Sequence, residues 1–318
     1  MLKLGEARWM TPEVDGLNET NNGLEQSGGE RQLIVTADDF GMLHGANEAI
    51  GDLMTGRFIT STSLMIPCPW ALDAVRIAAR HPNIDFDFGV HLTFTSGVYY
   101  NWGPVHRAGS TNSLVNEYGR FPADSRQVER ADPDQIRAEI AAQLEWALAR
   151  GIDVTHVDDH LCSLLGLYTG RHFMDIVFDL CAAFGLPFRF PKVLQDEQRA
   201  MMAQIDPAEI VRMAENKGVA LPDRMIILPY YPQQMEQVGY EHTKRAVIDT
   251  LRQLRPGVTE LICHPAADTA ETKAVLDTWQ LRRYEWDVFR DEEVQDVIRS
   301  EGIRLIKWRD LRDRQRGV

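Results

Sequence analysis

The chain has 318 residues, a formal net charge of −13, 44% hydrophobic residues and 25% charged residues, an ordinary composition for a globular protein long enough to bury a full core. No basic stripe is present to meet a nucleic-acid backbone, and the acidic balance disfavours an anionic membrane surface. No apolar stretch is long enough to span a bilayer, and Lys3 and Arg8 are not followed by the apolar run of a secretory signal.

Residues 1–30 are polar, rich in Gly, Asn and Glu, and aperiodic, which predicts an extension without chemistry of its own. Residues 31–318 read as one domain. The stretch 33–41, LIVTADDFG, opens with β-formers and ends in two adjacent carboxylates, as expected of a short buried strand. Neighbouring side chains on a straight strand point to opposite faces. Asp38 and Asp39 can therefore share a site only if the backbone bends, and Gly41 permits a bend. The competing reading has Asp39 capping a helix that starts near His44, with Asp38 solvated.

The helical pattern at 44–55 stops at Gly56, and the β-branched run 59–66 (ITSTSLMI) stops at Pro67. A helix is expected over 70–80 and a strand over 87–95 (DFGVHLTFT), which carries His91. Residues 99–122 hold aromatics, glycines and Pro104 without a period, which predicts a lid or binding loop. The strongest helix is 132–150, with Asp132 as N-cap, Pro133 in the first turn, an apolar series Ile136, Ile140, Leu144, Leu148, and a stop at Gly151. Strand 153–160 (DVTHVDDH), helix 171–184 ending at Gly185, and strand 186–190 (LPFRF) follow. Beyond them come helix 206–217, strand 225–228, helix 242–254, strand 260–264 (ELICH), helix 292–301, strand 304–307 and a short last helix. This alternation predicts parallel strands with crossover helices. About seven or eight strands favour a (β/α) barrel, an irregular one, over an open sheet.

The chemistry lies where these strands end. Asp38 and Asp39, His91, the trio His156, Asp158 and His160, and His264 all fall at or near the carboxyl end of a predicted strand, and in a parallel barrel those ends form one rim. In DVTHVDDH the strand period puts His156, Asp158 and His160 on one face. At most two of them need touch a metal, and a third can orient a ligand, as histidine ligands require. A carboxylate with two imidazoles leaves coordination positions open, the mark of a catalytic rather than a structural site, and water bound there would have a lowered pKa. Asp-His-His donors suit zinc, cobalt, manganese or iron. His44, His81, His106, His172 and His242 lie outside strand ends and are expected to have no direct role. The four cysteines form no CxxC pair, which fits reduced thiols in a cytoplasmic protein.

IVTADDFG at 34–41, GVHLT at 89–93, THVDDH at 155–160, ICHPA at 262–266 and the stretch 282–311 together resemble the YdjC-like carbohydrate deacetylase family, in order and in spacing, over roughly residues 31–318. The resemblance implies a distorted (β/α) barrel that removes N-acetyl groups from an amino sugar or short oligosaccharide with one divalent ion, Mg2+ or Zn2+. It implies Asp39, His91 and His160 as metal ligands, Asp38 as general base and His264 as general acid. His156 or Asp158 would hold His160 or Asp38 in place. Tyr99, Tyr100 and Trp102 would stack on a sugar ring or pack the loop, and Arg189 would contact substrate. The partner implied is a small N-acetylated sugar, and a homodimer is compatible with it. The chain departs from the family after His160, where Leu161, Cys162, Ser163 and Leu164 replace further histidines, and at Ala266, where a glycine is usual. Both departures bear on the substrate. Two other readings stand beside this one: a different metal-dependent hydrolase or isomerase on the same barrel, and a sugar-binding barrel without catalysis.

Overall fold

A computed structural model describes residues 29–228 and 239–318; the expected polar extension falls almost wholly outside them. In chain order the elements are β1 (Arg31–Phe40), α1 (His44–Thr55), β2 (Ser61–Leu64), α2 (Ala71–Arg80), β3 (Phe88–Leu92), α3 (Ser125–Val128), α4 (Pro133–Leu148), β4 (Val154–Asp159) and α5 (Met174–Phe184). They continue with α6 (Asp196–Met201), α7 (Pro207–Asn216), β5 (Arg224–Ile227), α8 (Tyr240–Arg252), β6 (Gly257–Cys263), α9 (Ala270–Val275), α10 (Trp279–Arg290), α11 (Glu292–Ser300), β7 (Arg304–Leu305) and α12 (Trp308–Arg316).

Every strand pairing is parallel, in the order β4-β3-β2-β1-β6-β5, with β7 paired to the foot of β1 through Gln32 and Leu33. This half-barrel is closed by single bonds rather than by a ladder. Val157 N donates to Pro187 O and Arg189 N to Val157 O, both at 3.0 Å, and Phe188 N donates to Ala220 O at 3.0 Å. Asp223 N then reaches Val258 O on β6 at 2.9 Å. The expected strand 186–190 is thus a one-residue bridge, Val157 with Phe188. Pro187 has no N–H to extend it. The result is a distorted (β/α) barrel in one domain, as expected.

Alternation along β1 sorts its residues. Leu33, Val35 and Ala37 join the large core beneath the helices, while Ile34 packs inside with Ile306, Trp308 and Leu311. Above Ile34, Thr36 and then Asp38 continue the inward face. The interior is therefore apolar at its foot and polar above. Trp308, the first residue of α12, is fully buried and forms the floor. It stacks on His156 with ring centroids 4.7 Å apart and an interplanar angle of 13°. A Cβ at position 89 would land on that imidazole ring, so Gly89 is what admits His156 to the interior.

Three local expectations change. Leu148 is 45% exposed rather than part of the buried stripe of α4. Asp39 does not cap α1; Leu43 occupies that position without a side-chain bond. Helices α3, α6, α9 and α10 were not anticipated, and α10 matters for the site. The expected loop 99–122 has no helix or strand, and it is longer than expected, running from residue 93 to 124 because β3 ends at Leu92 and not at Thr95. It is pinned to α4: Glu139 accepts from Val105 N and His106 N, and Gln143 bonds both Thr93 N and Thr93 O.

Candidate metal and catalytic site

Asp38 and Asp39 reach one site because the bend falls on Asp39 itself, whose φ is +68°. The pairing of β1 with β2 shifts register between Ala37 and Phe40. A left-handed aspartate costs energy that its surroundings must offset. Gly41, at φ +91°, continues the turn. The outcome is two buried neighbouring carboxylates that both face the barrel mouth.

Three atoms converge there. Asp39 Oδ1 lies 3.8 Å from His91 Nε2 and 3.5 Å from His160 Nδ1, and the two imidazole nitrogens are 3.1 Å apart. Asp39 Oδ1 is buried with no hydrogen-bond partner among the described residues. His91 comes from β3, with Nδ1 2.8 Å from Asp158 Oδ1, an orienting carboxylate of the kind metal-bound histidines use. His160 follows β4 in a single 3-10 turn, where Leu161 and Cys162 are also left-handed, at φ +55° and +51°. Of the cluster, only His160, His264 and Arg282 have side chains more than a tenth exposed, at 14%, 21% and 11%. Solvent therefore enters beside them.

Asp38 sits next to this trio, its Oδ2 4.0 Å from His91 Nε2 and 3.8 Å from His264 Nε2. Ser63 Oγ donates to Asp38 Oδ1 at 2.9 Å. Arg189 clamps both Asp38 oxygens, at 2.6 and 2.8 Å, and also reaches Asp158 Oδ2 at 2.7 Å and both Glu260 oxygens at 3.0 Å. Burial pushes the Asp38 carboxyl up, but Arg189, His91 and His264 outweigh it and hold the group far below the carboxylate range. Burial opposes the charge on Asp39 as well, and Arg282 with the histidines brings it low. Burial disfavours the His91 cation, yet Asp158, Asp38 and Asp39 raise it to about 9. Burial depresses His160 and His264, each to about 4, against the pull of the carboxylates.

The other expected residues divide. Asp158 bonds His91, and Arg189 links it to Asp38. Arg189 is buried among three carboxylates, so the expected contact with substrate gives way to a hub beneath the site. His156 lies lower still, against Trp308. Trp102 is buried, with Nε1 donating to Thr95 O at 2.7 Å, so it packs the loop instead of offering a face to a sugar. Tyr99 is 62% exposed on that loop, and Tyr100 bonds Glu271.

Three partners were missed. Glu260 on β6 is buried and accepts from Thr36 Oγ1 at 2.7 Å and Trp308 Nε1 at 3.0 Å as well as from Arg189. Arg282 and Glu285 come from α10. Arg282 donates to Asp39 Oδ2 at 2.7 Å, and Glu285 accepts from His264 N at 2.5 Å. Period-two inward placement on ELICH, where Glu260 and Ile262 share a face, was the available signal for Glu260.

Fold and site together define a class: a parallel-stranded β/α barrel that gathers carboxylates and imidazoles at the carboxyl ends of its strands. More particularly, the chain belongs to the YdjC-like family, whose model, described as "YdjC-like protein", matches residues 32–300. It is 26% identical over 283 residues to a carbohydrate deacetylase of Thermoanaerobacter pseudethanolicus, covering 89% of this chain and 100% of that one. It is 28% identical over 282 residues to a carbohydrate deacetylase of Geobacillus stearothermophilus, covering 88% of this chain and 98% of that one. Among solved structures it matches a protein of Enterococcus faecalis V583 described as a candidate cellobiose-phosphate cleavage protein, with TM-score 0.73 and 23% identity over 89% of this chain and 99% of that one. That likeness concerns the fold.

Proposed function

We propose that this protein is a metal-dependent carbohydrate deacetylase acting on an N-acetylated amino sugar or a short oligosaccharide of such sugars. The observation that carries the reading is that Asp39, His91 and His160 each offer one ligand atom, all within 4.8 Å of one another, in a hollow that solvent reaches. Relatives that match nearly end to end and bear the deacetylase name support it.

The residues fit a divalent ion. Asp39 Oδ1 is a buried acceptor with no hydrogen bond among the described residues. Around it the carboxylates Asp38, Asp39, Asp158 and Glu260 outnumber the guanidinium groups of Arg189 and Arg282 that face them, an acidic surrounding that suits a cation. Asp39, His91 and His160 would hold the ion, Mg2+ or Zn2+, and His91 must shed its proton to do so. When bound, the ion supplies Lewis-acid polarisation of the acetamide oxygen and a lowered pKa for water.

The chain's own groups do the rest. Asp38, kept ionised by Arg189, accepts a proton from the water that attacks the acetyl carbon. His264 is neutral above about pH 4, so it needs a proton before it can give one. Asp38 Oδ2 and His264 Nε2 lie 3.8 Å apart, beyond a direct hydrogen bond, so the proton that Asp38 collects passes on through one water or after the two side chains close up. His264 then protonates the amine as the C–N bond breaks, and acetate and a free amino sugar leave. We take the enzyme to be cytoplasmic, which the free thiols of Cys68, Cys162, Cys181 and Cys263 support. No helix among the described residues is long and apolar enough to cross a membrane.

The test is acetate release from N-acetylglucosamine oligomers by protein purified without chelator, then stripped and reloaded with Mg2+ or Zn2+. Release should vanish on stripping and return on reloading. Release that persists in the fully stripped protein would overturn the metal dependence, and no release in any state would overturn the deacetylase reading.

A further inference from the structure

The two oxygens of Asp39 have different fates. Oδ2 accepts from Arg282 at 2.7 Å, while Oδ1 has no hydrogen bond among the described residues and faces His91 and His160 at 3.8 and 3.5 Å. Left to itself a carboxylate next to a cation offers one oxygen or both, and rotation about its last bond interchanges them. Here a charged donor occupies one of them. The same guanidinium lies 3.4 Å from His264 O, and Arg282 O accepts from Ala266 N at 3.1 Å, so the residue is tied at both ends to the segment after β6. Asp39 is also a left-handed aspartate, a conformation that its surroundings must hold.

The geometry points to Arg282 as a positioning residue that commits Asp39 to a single donor oxygen, Oδ1, and holds that oxygen at the imidazole pair. This rests on the reading of Asp39, His91 and His160 as metal ligands and deepens it. Two effects of removing the guanidinium oppose each other. Loss of a positive charge close to the site favours a cation by Coulomb's law. Loss of the orienting bond disfavours it, because the partners of metal ligands are typically worth 10–100-fold in affinity. Positioning requires the second effect to win.

The experiment titrates Co2+ alone into the full-length wild-type protein, Arg282→Gln and Arg282→Lys. It reads the dissociation constant by calorimetry and the coordination geometry from the visible absorption band, with thermal melting to show that each variant is folded. Arg282→Gln is expected to bind about 10–100-fold more weakly with an altered band. Arg282→Lys, which keeps the charge and one donor, should recover part of the affinity. Equal or tighter binding by a folded Arg282→Gln, with the wild-type band, would overturn the proposal while leaving the metal site standing. No Co2+ binding by the wild type would overturn both. If Arg282→Gln does not fold, Arg282→Lys decides alone: a wild-type constant and band overturn the proposal, and weaker binding with a changed band supports it.

Discussion

Arg189 turns all three of its nitrogens to carboxylates: Nε bonds Glu260, one terminal nitrogen bonds Asp38 and pairs with Asp158, and the other bonds Asp38 and pairs with Glu260. All three acids are buried, and Arg189 is the one cation that touches them all, with His91 assisting at Asp38 and Asp158. Arg189→Met should therefore destabilise the protein by about 3–5 kcal/mol, the cost of leaving buried charges unpaired. Urea unfolding measures it, and a loss below about 1 kcal/mol would show that the hub is not what holds these groups. The sequence announced the cluster itself, since acids and histidines stood at four strand ends. It did not announce the hub, because an arginine in LPFRF looks like a rim residue until the bridge to Val157 turns it inward. The bend was legible as a need but not in position. Gly41 was the obvious hinge, whereas the bend falls on Asp39 itself, in a conformation no local pattern specifies for a non-glycine.

Among the helices, α4 shows what local signals give. Asp132 accepts from Asp134 N at 2.9 Å and Gln135 N at 3.2 Å, with Pro133 behind it, as the sequence led one to expect. Asp132→Ala should cost about 1 kcal/mol, the usual worth of an N-cap, read as a lowered unfolding midpoint. Because α4 carries Glu139 and Gln143, the clips of the long loop, the loss should also speed amide exchange at Thr93 and Val105. The error at Leu148 is geometric. Steps of four residues advance about 40° beyond a full turn each, so the fourth member of the series stands about 120° from the first. Helix α10 failed for a different reason. It begins at Trp279, with Thr278 in the cap position making no side-chain bond, and its buried residues are Leu281, Glu285, Val288 and Phe289. A buried glutamate in the stripe masks the period. That glutamate sits there to hold the His264 backbone, so the feature that hid the helix is the one the site uses.

At the scale of the molecule the barrel foot carries a titrating tie. Asp87 is fully buried and accepts from Ser61 Oγ at 2.5 Å, Thr155 Oγ1 at 3.0 Å and Arg309 N at 3.0 Å, joining β2, β4 and α12. Burial raises its pKa above the ordinary 3.8, against the pull of those donors. The folded state thus keeps a proton that the unfolded chain has already lost. Its contribution is greatest below the unfolded value and declines as pH rises through that value toward the folded one. Unfolding free energies of wild type and Asp87→Asn, compared from about pH 3 to about pH 7, should differ by an amount that moves against the wild type with rising pH. A difference that stays constant would remove this account.

The floor has a consequence for how the chain is made. β7 pairs with the foot of β1, and Trp308 covers Glu260, Thr36 and His156 from below. A polypeptide emerging in order from the ribosome would carry the strands of the barrel long before the segment that seals them. Until β7 and α12 have been polymerised, the polar interior stands open at its base. Closure and the final arrangement of the acids then follow the synthesis of the strands rather than accompany it.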